Sequence, residues 1–377
     1  MKRIYFDNAS TTRLTEPVLE AMMPYLTGIH GNAMSAYLEG RAAREAVETA
    51  RIRVARAIGA EPDEIRFTGG GTESDNWAVL GTAARAGTPG KIVTSAIEHH
   101  AVLRACEFLA KRGWTIEALP VSPDGFVDPE DLERAITGDT RLVSVMLANN
   151  EIGTVQPVRA LAEIAHSHGV PFHTDAVQAV GALRIDVKEL GADLLSVSGH
   201  KFHAPKGVGA LYIRKGTGIQ PLLRGGAQEG GLRAGTENVP GIVGIGAAIE
   251  LAAGSVEERA QRVRGMRDAL VRGILESVPG SFLNGSADRR LPGNANLCLR
   301  PLDSPTLVPL LDMRGIAASN GSACAAGSDE PSHVLKALGI GIREINGSIR
   351  FTLNEENTME EVLEAVSRIR DIASRLP

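Results

Sequence analysis

RLVSVMLANNEIGTVQPVRALAEIAHSHGVPFHTD, residues 141–175, is the stretch whose reading decides the fold. Its first eight residues, 141–148, form an apolar β-rich run, and VPFHTD (170–175) forms a second. Residues 158–168 between them carry a helical pattern. Two strands joined through a helix make a βαβ unit, and strands so joined run parallel. Working outward, the same alternation recurs in both directions. EIRFT (64–68), KIVTS (91–95), DLLSVSG (193–199) and GALYI (209–213) read as further strands, and 73–85, 99–111 and 129–136 as helices. The expectation is an α/β fold with a mainly parallel sheet, whose ligands sit at the carboxyl ends of its strands.

The pattern changes after residue 216. GGAQEGGLRAGTENVP (225–240) reads as a connector into a long helical region over about 240–277. NANLCLR (294–300) and GSIRFTL (347–353) then read as strands, and 304–313, 331–338 and 357–374 as helices. This second pattern predicts a smaller α+β unit packed against the first across a cleft.

Composition narrows the function. The 377 residues are 43% hydrophobic and 23% charged, an ordinary globular balance. A formal net charge of -5 gives no basic footprint for nucleic acid or an anionic membrane. The start, MKRIYFDNASTT, lacks the apolar stretch of a secretory signal, and no apolar run approaches the ~18 residues of a membrane span. Three widely spaced cysteines, Cys106, Cys298 and Cys324, fit a reducing cytoplasm better than a disulfide framework or a zinc site.

Several residues suggest chemistry in combination. Lys201, in SVSGHKFHAPKG, follows an apolar strand and has Ser198 and His200 beside it. A lysine there can form a Schiff base, although a lone lysine is more often a solvated surface group. Asp175 ends VPFHTD, where a carboxylate can pair with a pyridinium nitrogen or simply cap a helix. GGGTESDN (69–76) follows EIRFT and opens a helix, so its N–H groups and Thr72 can cradle a phosphate; a plain turn capped by Thr72 is as good a reading. Arg350 stands between Ile349 and Phe351, and alternation turns it away from both. It is either a carboxylate fork or a structural ion pair. Asn150, His99 and Thr236 lie in polar strand-end or Gly-rich segments. Cys324, in SNGSACAAGSDEPSH, sits among small polar residues and reads as a thiol on a loop, whereas Cys106 and Cys298 read as core.

The order of these motifs resembles the NifS/IscS-like cysteine desulfurases, class V aminotransferases of fold type I. The likeness runs from YFDNASTT (5–12) through GGGTESDN, EHHAV (98–102), NNEIGTVQP (149–157), HTDAVQ (173–178), SGHKFHAPKG (198–207) and RAGTENVP (233–240). It continues in NGSACAAGS (320–328), EPSHVLKALG (330–339) and SIRFTL (348–353). The resemblance implies a large pyridoxal-phosphate-binding domain, residues 14–255, with a mainly parallel (mixed) seven-stranded sheet flanked by helices. Residues 1–13 and 256–377 would form the small domain carrying the Cys324 loop.

It also implies that Lys201 forms the Schiff base with pyridoxal 5'-phosphate, His99 stacks on the ring, Asp175 pairs with its nitrogen and Gln178 bonds its hydroxyl. Asn150 would lie beside the cofactor; Gly71, Thr72, Ser198 and His200 would hold the phosphate, with Thr236 reaching the phosphate of the neighbouring subunit in a homodimer. Asn32 and Arg350 would hold the carboxylate of L-cysteine. Cys324 would be the nucleophile, in the longer-loop form of the family, with His200 or His99 shuttling protons. The sulfur would pass to an acceptor protein such as an iron-sulfur scaffold, with cluster ligation through Cys324 as a further role. Selenocysteine lyase, another class V reaction and a non-catalytic cofactor-binding scaffold are the rival readings.

Overall fold

The computed structural model describes residues 2–300, 304–320 and 331–374; Cys324 lies outside them. After the short β1 (Ile4–Tyr5) come two helices, α1 (Glu16–Thr27) and α2 (Leu38–Ile58). The alternating region follows: β2 (Ile65–Thr68), α3 (Gly71–Ala86), β3 (Lys91–Ser95), α4 (His100–Ala110), β4 (Thr115–Leu119), α5 (Pro129–Ala135) and β5 (Thr140–Ser144). It continues with α6 (Val158–Ser167), β6 (Phe172–Asp175), α7 (Val187–Leu190), β7 (Leu194–Ser198) and β8 (Gly209–Ile213). The rest comprises α8 (Val239–Ala253), α9 (Val256–Ser277), β9 (Phe282–Leu283), β10 (Asn294–Cys298), α10 (Ser304–Met313), β11 (Ile316–Ala317), α11 (His333–Ala337), α12 (Ile342–Asn346), β12 (Ser348–Thr352) and α13 (Met359–Ala373).

Seven strands form one sheet in the order β2-β8-β7-β6-β5-β3-β4. The neighbours from β7 through β4 pair in parallel, while β8 is antiparallel to both β7 and β2. The chain returns from β7 to β8 over residues 199–208, too short a path for the helical crossover that a parallel neighbour needs. The sheet is therefore mixed. Strand alternation explains why it is covered on both faces. Val93, Val143 and Leu195 pack into one core with α2, α6 and α8, whereas Ile92, Leu142 and Leu194 pack into another with Trp77 of α3 and Val102 and Cys106 of α4.

A separate core gathers Ile4, Phe6, Leu270, Ile274, Leu297, Ile349, Phe351 and Ile369. It covers an antiparallel sheet, β12-β10-β9, and the parallel pair β1-β11. The amino-terminal strand thus pairs within the carboxyl-terminal unit.

Three readings need correction. The strand expected over 141–148 has its regular ladder only to Ser144, although Val145 and Leu147 still donate to the carbonyls of His173 and Asp175. The helical region over 240–277 is two helices, α8 and α9, which meet at 75°; Gly254 caps the first and Ser255 starts the second. Thr72 is not a cap: Gly70 holds that position and Gly71 opens α3.

Candidate active site

A cavity of about 790 Å³ opens at the carboxyl ends of β2, β5, β6 and β7 and the amino end of α3. One wall is built for an anion. Gly70 has φ 143°, a conformation that favours glycine. A Cβ on Gly71 would lie 2.7 Å from Val177 Cγ2 and 3.4 Å from Ser198 Cβ, so the cradle has no room for a side chain. The first N–H groups of α3 have no partner within the helix, and its dipole adds positive potential. Thr72, Ser198 and His200 line the same end. His200 Nδ1 is 3.1 Å from the Thr11 hydroxyl, and burial, then Lys201 and Lys206, pushes its pKa down to about 4.

Lys201 closes the short 3-10 turn that follows β7. Its Nζ donates to the carbonyls of Ala9 at 2.6 Å and Ser10 at 2.9 Å, which aim the amine into the cavity from the amino-terminal segment. His99 is the N-cap of α4, and its Nδ1 accepts from Ala101 N–H at 3.1 Å. That bond leaves the ring proton on Nε2. Burial, then the charge of Lys201, pushes the His99 pKa down to about 4, so the ring is neutral.

Asp175, at the end of β6, accepts from Val177 N–H at 2.8 Å. No α-helix begins there, so the carboxylate caps only a turn. Burial pushes its pKa up to about 6 despite the opposing Val177 bond and Lys201 charge. Gln178 lines the cavity and donates to Ala9 O at 3.0 Å.

Arg350 enters from β12 and is 1% exposed. Its Nη2 donates to Asp7 Oδ1 at 2.9 Å and the Ser10 hydroxyl at 2.8 Å, and its Nη1 donates to Asn150 O at 3.0 Å. It is both a structural ion pair and a cation on the cavity wall. Asn150 lines the cavity beside it.

The structure thus brings Gly71, Thr72, His99, Asn150, Asp175, Gln178, Ser198, His200, Lys201 and Arg350 around one space. Two predicted residues do not line it. Asn32 turns the chain toward α2, its Oδ1 accepting from Met34 N–H at 2.9 Å, and Thr236 is exposed in the connector. Other lining residues escaped the sequence reading. Asp75, Glu151, His100 and His333 lie inside quoted motifs, but nothing in their spacing separates them from their neighbours. His333 Nε2 donates to Glu98 O at 3.0 Å, its ring lies 4.8 Å from that of His100, and the Ser332 hydroxyl donates to Glu151 Oε2 at 2.6 Å. These contacts dock α11 at the cavity mouth.

A helix end without side-chain obstruction, a lysine amine, a buried carboxylate and a neutral imidazole can together hold a flat heteroaromatic phosphate. Comparison with known proteins gives the family. The family model of the class V aminotransferases matches residues 4–364. The cysteine desulfurase IscS of Methanosarcina thermophila is 50% identical over 376 residues, spanning 100% of this chain and 93% of that protein. A solved NifS-like protein superposes with a TM-score of 0.93 at 40% identity, covering 99% of this chain and 100% of its own. SspA, solved in complex with cysteine, gives a TM-score of 0.84 at 36% identity, with 93% of this chain and 99% of that one covered.

Proposed function

The chain belongs to the class V aminotransferases and, among them, to the cysteine desulfurases, and from that premise we propose that it converts L-cysteine to L-alanine with pyridoxal 5'-phosphate, leaving a persulfide on Cys324. The observation that carries the reading is the meeting of Lys201, Asp175, the amino end of α3 and Arg350 in one cavity. When bound, the cofactor would supply an electron sink for the substrate carbon next to the amine joined to it.

The chain's own residues do the rest. Lys201 holds the cofactor covalently through Nζ; Asp175 balances the ring nitrogen, Gln178 bonds the ring hydroxyl and His99 covers the ring face. Asn150 packs beside the ring. Gly71, Thr72, Ser198 and His200 hold the phosphate, and Thr236 does so for the partner subunit of a homodimer. Arg350 binds the substrate carboxylate, and the resemblance assigns Asn32 to the same group although it does not line the cavity of the single chain.

Lys201, with its amine free, would take the Cα proton at Nζ. The Cys324 thiolate then attacks the substrate sulfur. An S–S bond forms as the C–S bond breaks, and the C–S electron pair stays with carbon, where a proton completes alanine. His200 and His99, both neutral and beside Lys201, are the candidates to relay that proton. We further infer a large domain over 14–255, a small one over 1–13 and 256–377, a cytoplasmic location, and an acceptor protein that takes the sulfur for iron-sulfur cluster assembly, with Cys324 able to ligate a cluster.

The test is the release of alanine and sulfide from L-cysteine with a reductant, comparing wild type with Cys324→Ala. Equal alanine and sulfide from wild type, and neither from a variant that keeps its visible absorbance, supports the reading. Full activity in the variant sinks it.

A further inference from the structure

Behind Asp175 lies a chain of buried polar groups that the chemistry above leaves unused. The Ser144 hydroxyl is 2.8 Å from His173 Nδ1, and His173 Nε2 is 3.1 Å from the Ser196 hydroxyl. Asp75 lies next in line: its Oδ1 is 3.7 Å from His173 Nε2, and the Ser196 hydroxyl is close enough to favour its ionised form. Ser144, His173 and Ser196 are 0% exposed and Asp75 1%. Register explains the grouping. Ser144 pairs with His173, and Ser196 with Asp175, across neighbouring strands, while period-2 alternation puts His173 and Asp175 on one face of β6. Asp75 reaches that face from α3, one turn beyond Gly71.

The proton positions follow from the donors available. Burial pushes the His173 pKa down to about 3, so the ring is neutral and carries one N–H. In the tautomer with the proton on Nε2, the ring donates to Ser196, Nδ1 accepts from Ser144, and the Ser196 hydroxyl is left to donate toward Asp75. Asp75 Oδ1 then meets no donor among the described residues. An ionised carboxylate so placed would be buried, half-satisfied and beside a second carboxylate, which physical chemistry disfavours. Burial and Asp175 both push the Asp75 pKa well up. A neutral Asp75 turns the orphaned oxygen into an O–H donor, and of the carboxylates facing the same cavity Asp175 is the one whose charge acts on Asp75.

We propose that Asp75 is a positioning residue for Asp175: it stays a neutral acid, held by the Ser144–His173–Ser196 chain, and donates its O–H to the Asp175 carboxylate. The carboxylate then stays ionised and aimed at the ring cation of the cofactor, so the inference rests on the cofactor reading above. Val177 N–H supplies a second donor to Asp175. The other titratable groups facing the pair are Lys201 beyond β7, whose cation favours the ionised form, Glu98 before α4, and the neutral His99.

The test titrates apoprotein with pyridoxal 5'-phosphate and follows the visible absorbance of the loaded protein against pH. Asp75→Asn keeps an N–H donor and binds within about threefold of wild type. Asp75→Ala weakens binding about tenfold, the worth of a hydrogen bond to a charged group. It also raises the acid limb of the absorbance titration by roughly one unit, because a carboxylate that loses a donor protonates at higher pH. Ser196→Ala falls between. If Asp75→Asn is as damaging as Asp75→Ala, Asp75 acts through its charge and the proposal fails. It fails equally if both variants bind like wild type and lose only thermal stability, which is what a purely structural role predicts. A wild type that takes up no chromophore overturns the cofactor reading and this inference together, so the two failures are distinguishable.

Discussion

The two main sheets feed the same cavity by different routes. The seven-stranded sheet supplies Asp175 and Ser198 from the last residues of its strands and Gly71, His99, Asn150 and Lys201 from the segments that follow them, whereas the antiparallel sheet supplies Arg350 from the middle of β12. Parallel strands bring their carboxyl ends to one rim, where helix amino ends also meet, so topology alone gathers polar groups there. Antiparallel strands alternate their ends and make no such rim. There the side-chain alternation decides: Ile349 and Phe351 enter the small core, while Ser348, Arg350 and Thr352 face the other way. That polar face meets the loop after β5, where Asn294 and Asn296 each donate to Glu151 O at 3.1 Å. The difference teaches that a residue on the first sheet owes its place to the fold, and one on the second to its register.

Arg350→Gln tests the second route and should have the larger effect. It removes the fork and strands the Asp7 carboxylate, so kcat/KM for L-cysteine should fall by about 10²- to 10³-fold, the scale of truncating one partner of a buried charge pair. The rise should sit mainly in KM, with Arg350→Lys recovering part of it. An unchanged KM would make Arg350 a structural strut alone and break the comparison.

A smaller effect tests the buried rim of the first sheet. Glu98 accepts from the Ser95 hydroxyl at 2.5 Å and Met146 N–H at 2.9 Å, and burial pushes its pKa up to about 8. Its folded pKa lies above its unfolded value, so between about pH 4.5 and 8 the folded state binds more protons and stability falls as pH rises. The slope approaches ~1.4 kcal/mol per unit for this group. Apoprotein stability from denaturant unfolding should show that decline in wild type and a shallower one in Glu98→Gln; parallel curves would place Glu98 in an ionised, solvated setting.

What the sequence could tell follows the same division. Six of the seven strands of the alternating region were legible because each is a short apolar run bounded by turns, and their ends named the rim; the edge strand β4, TIEAL, was not read, since only its last residue is buried. Helices α1 and α2 were not read, although α2 buries Ala43, Ala46, Val47, Ala50 and Val54. Its contact with α8 depends on small residues: a Cβ on Gly246 would meet Ala50 Cβ at 2.7 Å, and alanines make a weak apolar signal. The two-residue strands β1 and β11 carry no periodicity at all. The carbonyls of Ala9 and Ser10 that hold Lys201 could not be found from side-chain chemistry, since backbone acceptors are present everywhere. Asp75 and His173 look like ordinary polar residues until strand register sets Ser144 and Ser196 against them.

The central claim is that the rim of the parallel strands holds pyridoxal 5'-phosphate on Lys201. Borohydride reduction of the loaded protein, followed by proteolysis and mass mapping, tests it most directly. The account predicts a reduced phosphopyridoxyl adduct on the peptide containing Lys201, and none on the peptide containing the neighbouring Lys206 when protease cleavage separates the two. An adduct on Lys206 or any other lysine, or no adduct from a protein that converts L-cysteine, would contradict it.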